Sequence, residues 1–110
     1  MFLTMNTLDL RIGDVVMNHG MRIKLDRHPR IWFSERRRGG AEEVRTFPGL
    51  VLNPDEAITK HAIPRGWIYD SRGTWDYETS TWLPEIRPRW TVQGNRLATW
   101  YVDREHEIGC

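Results

Sequence analysis

At 110 residues, 39% apolar and 28% charged, with a formal net charge of +1, the chain fits one small folding unit and lacks the bulk charge of a dedicated polyanion binder. No stretch approaches the ~18 apolar residues of a membrane span, and 6 tryptophans are too many for a disordered tail. The single cysteine, Cys110, excludes an internal disulfide and a cysteine-built zinc site.

Taken in chain order, Met1 to Leu8 reads as a lead-in, and Met1 to Arg11 has neither the basic start nor the apolar run of a signal peptide. Gly13-Asp14 is a turn signal, and Val15-Val16-Met17 follows as a strand. Met21-Arg22-Ile23-Lys24-Leu25 alternates apolar and basic residues, which predicts a half-buried strand with Met21, Ile23 and Leu25 inward. Asn18-His19-Gly20 joins the two as a tight hairpin. Ile31-Trp32-Phe33 predicts a third strand, Arg36 to Gly40 an exposed loop, and Glu42 to Phe47 a returning strand. Pro48-Gly49 predicts a bend or bulge before Leu50-Val51-Leu52.

Asn53-Pro54-Asp55-Glu56 is a helix start: a capping side chain, proline at the first position, and acids at the positive end of the dipole. Pro64 limits that helix to one or two turns. Ile63 to Pro88 shows no period and predicts a long, aromatic-pinned connection with at most two short strands. Trp90 to Val102, turning at Gln93-Gly94-Asn95-Arg96, predicts a closing hairpin with Trp90 and Trp100 on its two arms. The expected architecture is one mainly β domain over residues 1–110, a small antiparallel barrel with one short helix. An SH3-like barrel leads and an OB-like barrel follows.

No phosphate loop, dinucleotide fingerprint, nucleophile elbow or paired-histidine zinc motif is present, so no enzyme, metal or cofactor is expected. Asp103, Glu105 and Glu107 would share one strand face and His106 the other, a poor arrangement for chelation. Asp70 with Asp76 or Glu78 is an acid pair only if the connecting segment brings them together. Two surfaces remain. Trp67, Tyr69, Trp75, Tyr77 and Trp82 form an aromatic-dense segment of the kind that anchors protein partners. Trp32 and Phe33 run into Arg36, Arg37 and Arg38, an arrangement that stacks bases and neutralises phosphates if it binds single-stranded nucleic acid. The stretch Arg22 to Arg45 is net basic and Asp70 to Glu85 net acidic, so the chain is polarised along its length.

Leu10 to Arg22, with its Gly13-Asp14-Val15-Val16 core, resembles the opening of small proteins encoded by tailed bacteriophages. Trp90-Thr91-Val92-Gln93-Gly94-Asn95-Arg96-Leu97-Ala98-Thr99-Trp100 resembles their closing segment, and Ile63-Pro64-Arg65-Gly66-Trp67 is also similar. The resemblance implies an accessory protein working in the host cytoplasm, without a membrane, and carries no catalytic residues. The expected function is a non-catalytic protein-interaction module for a host or phage protein. The alternatives are a single-stranded nucleic-acid-binding barrel and a self-associating assembly protein, a homo-oligomer.

Overall fold

The alternation from Met21 to Leu25 sets the packing. All three apolar side chains of that strand are buried and both basic ones are exposed. In the computed structural model, which describes residues 2–36 and 40–104, the chain is mainly β and its strands pair antiparallel. Val15–Asn18 (β2) and Met21–Leu25 (β3) form the expected hairpin. His19 and Gly20 both take positive φ, 51° and 85°, so the turn follows the right-handed twist of its arms.

Phe2–Asn6 (β1), within the lead-in, is a strand docked on the sheet; it pairs with Thr99–Asp103 (β9), which also pairs with β2. This pairing joins opposite ends of the sequence and leaves no local signal. Arg30–Arg36 (β4) and Gly40–Val51 (β5) pair in continuous register. β5 continues unbroken through Pro48 and Gly49, where a bend or bulge was expected, and its register with the strand Arg89–Asn95 has no bulge there. The Pro48 carbonyl accepts from the Asp26 N–H at 3.3 Å, so the missing Pro48 N–H points to the same edge. On that edge β4 ends opposite Thr46 and β3 begins opposite Gly49, so the proline sits where no ladder bond is required. The other edge of β5 pairs with Arg89–Asn95 (β8).

The expected closing hairpin does not form. β8 pairs with β5, while β9 lies between β1 and β2. Asn95 makes a real turn, its Oδ1 accepting from the N–H groups of Leu97 and Ala98 at 2.9 and 3.1 Å. Thr7 and Trp100 fill the space between the two strands. The Trp100 Nε1 donates to the buried Thr7 hydroxyl at 2.9 Å, the Thr7 N–H donates to the Ala98 carbonyl at 3.2 Å, and both side chains crowd Gly94. A β8–β9 ladder is the link that would close β8, β5, β3, β2 and β9 into a ring. Without it the expected barrel stays open, and β1, β4 and β8 are left as end strands.

Pro54–Lys60 (α1) ends as expected before Pro64. Asn53 does not cap it. Its Oδ1 accepts from the Arg22 N–H at 2.8 Å and its amide donates to the Gly20 carbonyl at 3.0 Å, which ties the helix start to the β2–β3 turn. A second helix, Arg65–Ile68 (α2), was not expected. Thr74–Asp76 (β6) and Thr81–Leu83 (β7) form a separate small hairpin.

The core lies on one face of the sheet, where Val16, Met21, Ile23, Leu25, Phe47 and Val92 are fully buried, closed over by Ala57 and Ile68 from the helices. At its margin the Asp14 carboxylate, 1% exposed, takes the Arg104 guanidinium through two bonds of 2.8 Å. It also accepts from the Arg11 N–H at 3.0 Å, so a buried charge is fully engaged.

Gly49 permits a close contact between β5 and β3. A Cβ there would overlap Ile23 Cγ2 and lie 3.1 Å from the Lys24 carbonyl oxygen. Gly49→Ala is expected to lower unfolding free energy by about 1–3 kcal/mol through overpacking. Gly66→Ala, where nothing lies within 4 Å of the new methyl, is expected to leave stability unchanged or raise it. Urea unfolding followed by tryptophan fluorescence distinguishes the two.

Candidate functional site

β5 has two faces. Phe47, Gly49 and Val51 point into the core, and Thr46 and Pro48 point away from it. On this outer face Trp32 of β4 donates from Nε1 to the Thr46 hydroxyl at 3.1 Å, and Thr46 donates to Gln93 Oε1 of β8 at 3.0 Å. Three adjacent strands are thereby tied by side chains on a single surface.

The segment read from sequence as a long connection is a built wall beside that surface. Trp75 and Trp82 stand opposite each other across the β6–β7 hairpin, edge to face at 5.2 Å. Gly73, at φ 116°, is required because a Cβ would strike the Leu83 carbonyl. The Thr74 hydroxyl donates to the Glu85 carbonyl at 2.7 Å and accepts from the Arg87 N–H at 3.0 Å, which fixes the exit of β7. The Asp26–Arg89 ion pair, with Arg89 Nη2 to Asp26 Oδ1 at 2.8 Å, ties β8 to the loop after β3.

Trp67, Tyr69, Trp75, Tyr77 and Trp82, the five aromatics singled out in the sequence, all line one cleft of about 240 Å³. A second depression, about 270 Å³, lies between Trp67, Trp90, Tyr77, Arg89 and Pro48. Trp67 and Trp90 approach there at 6.1 Å. A third, about 600 Å³, is walled by His28, Pro29, Arg30, Trp32, Thr46, Tyr77 and Gln93. Tyr77 lines all three, half exposed, and Trp67 is 62% exposed. The result is one aromatic groove that runs from the small hairpin across β8 and β5 to β4.

Of the arginines that line it, Arg87 and Arg89 are engaged within the chain, as are Arg65 and Arg72 beside it, while Arg30 in the third depression pairs with no described residue. Arg72 lies 4.3 Å over the Trp82 ring and clamps Asp70 through bonds of 3.0 and 2.8 Å. Arg87 pairs with Glu85 at 3.0 Å and Arg89 with Asp26. Arg65 lies 4.3 Å over Tyr69. Around the five-aromatic cleft each of these four cations meets a carboxylate or a ring of the chain itself, so that cleft presents aromatic faces rather than unpaired cations.

The second sequence candidate is divided by the strand that carries it. Trp32 faces the groove, whereas Phe33 is on the opposite face of β4, 65% exposed. Arg37 and Arg38 lie outside the described residues, as does the Arg36 side chain. Asp70, Asp76 and Glu78 form no acid pair. Asp70 is clamped by Arg72, and Asp76 Oδ1 accepts from the Glu78 N–H at 2.9 Å. Glu105, His106 and Glu107 also lie outside the described residues.

Sequence reasoning missed Trp90, Pro48, Arg89 and Gln93 as groove residues. Trp90 had been read as half of a tryptophan pair with Trp100, and the pairing of β8 with β5 moves it to the groove. No helix among the described residues is long and apolar enough to cross a membrane. No family model, curated protein or solved structure matches the chain.

The Arg72 side-chain and backbone N–H bonds hold the Asp70 carboxyl at about 2, below its ordinary 3.8. A depressed carboxylate pKa favours the folded clamp above the unfolded value and loses that contribution as pH falls through the folded one. The clamp and the Arg72–Trp82 stack are therefore expected to persist at pH 4 and to release towards pH 2. Carboxyl carbon NMR of Asp70 checks this, and Arg72→Ala is expected to return its midpoint towards 3.8.

Proposed function

We propose that the protein is a non-catalytic interaction module that takes an extended segment of a partner protein into the groove around Tyr77. The observation that carries this reading is the convergence of all five sequence-singled aromatics on one cleft, continued by Trp90 and Trp32. Tryptophan and tyrosine give large contact area with few rotors to freeze, and they dominate the energetics of protein interfaces. A polyanion gains when unpaired protein cations neutralise its phosphates and release its condensed counterions, and here Arg87 and Arg89 of the aromatic cleft are paired within the chain. That balance favours a polypeptide with apolar or aromatic side chains. In the phage accessory class that the end segments resemble, the partner is a host or phage protein met in the host cytoplasm.

The test is selection of random displayed peptides on the immobilised full chain. Peptides are expected to enrich, and Trp67→Ala or Tyr77→Ala to weaken the enriched peptides by about tenfold or more, the loss of roughly 1.4 kcal/mol. Both residues are exposed, so the folded state survives their truncation. Failure to enrich peptides that depend on these residues overturns the reading. Oligothymidine binding that weakens sharply between about 50 and 200 mM salt favours the nucleic-acid alternative instead.

A further inference from the structure

β4 is an end strand of the main sheet, and its outer edge has no partner among the described residues. It spans seven residues in unbroken register with β5, without proline or bulge. Ile31 and Phe33 project from the same face, 49% and 65% exposed. Such an edge offers a row of open N–H and C=O groups, and natural sheets usually guard one with proline, a bulge or an inward charge. Residues Ile31 to Ser34 carry none of these guards.

We propose that this edge pairs with the same edge of a second copy of the chain. The two β4 strands run antiparallel about a two-fold axis at Trp32, so that two sheets become one. The sequence of the strand selects this register. A two-fold axis normal to a sheet requires each residue to oppose one on its own face, which allows centres only at whole residues. Centred on Phe33, the pairing sets Arg30 against Arg36, like charges directly opposed. Centred on Ile31, it sets Phe33 against Pro29, which has no N–H to give. Centred on Trp32, it sets Ile31 against Phe33 twice, Arg30 against Ser34 twice, and Trp32 against Trp32, and moves Pro29 out to the ends of the ladder, against Glu35. The apolar pairs then cover each other on one face. On the other, the clefts that end at Trp32 come side by side. This inference goes beyond the groove reading and stands independently of it.

A ladder this short makes a reversible dimer, with dissociation expected at about micromolar or weaker concentrations. Sedimentation velocity of the full chain is expected to show a monomer–dimer equilibrium, and Phe33→Lys to raise the dissociation constant by at least about tenfold. Phe33 is outside the core, so near-native fluorescence and circular dichroism are expected for the variant. A strict monomer up to about 1 mM, or a dimer indifferent to Phe33→Lys, overturns the proposal. Cross-linking checks the register in a Cys110→Ser background. Opposed residues have Cα atoms about 4.5–5.5 Å apart, within disulfide range. An oxidised mixture of Ile31→Cys and Phe33→Cys chains is expected to give the mixed dimer in preference to either self-dimer. Equal or greater cross-linking of Ile31→Cys to itself overturns the register.

Discussion

The long strand β5 is the constraint on which the rest of the structure depends. It pairs with β3 and β4 along one edge and with β8 along the other, so it alone joins β4 and β8 to the first hairpin, which β1 and β9 reach through β2. Its inner face must be thin where β3 crosses, which Gly49 provides, and filled where the core is deepest, which Phe47 provides. Its outer face carries Thr46 and Pro48, which become the floor of the groove. Core and candidate site are thus two sides of a single strand, and their positions cannot vary independently.

The wall of the groove follows from a different kind of stabilisation. The segment from Arg65 to Arg87 contributes little to the core beyond Ile68, with Tyr69 packed against its margin. It is held by the edge-to-face tryptophans of the small hairpin, the Thr74 bonds to Glu85 and Arg87, Arg72 stacked on Trp82 while paired with Asp70, Arg65 stacked on Tyr69, and Arg87 paired with Glu85. Exposed ion pairs of this type add little to global stability. Here they fix the positions of side chains. They also consume the positive charge that would otherwise draw a phosphate backbone, which links the local architecture of the wall to the kind of partner the groove suits.

Much of the local structure was legible in the sequence because its causes are local. The alternation at Met21 to Leu25, the turn at His19-Gly20, and the helix start at Pro54 each follow from periodicity or backbone preference. The aromatic density between Trp67 and Trp82 likewise pointed to a common surface. What failed to show were pairings between distant segments. The Asn95 turn is real, yet turn chemistry fixes only the turn; Thr7 and Trp100 decide that its arms separate. Pro48 reads as a breaker until the strand on its proline edge is known to change from β4 to β3. Asn53 has the residue type of a cap, but the nearby Gly20 carbonyl and Arg22 N–H engage its side chain instead. Trp32 and Phe33 are adjacent in sequence, and the two-residue period of a strand puts them on opposite faces.

The central claim is that the groove's tryptophans, and not the chain's tryptophans in general, meet a polypeptide ligand. The indole N–H spectrum reads this directly, with 6 tryptophans to report. On titration with a selected peptide, the Trp67, Trp75, Trp82 and Trp90 signals are predicted to move together to saturation. Trp100, whose Nε1 is tied to Thr7 on the far side of Gly94, is predicted to stay in place. Oligothymidine is predicted to leave the groove signals unmoved. Saturable shifts of Trp32 with oligothymidine, while Trp67, Trp75, Trp82 and Trp90 ignore every peptide, would contradict the account.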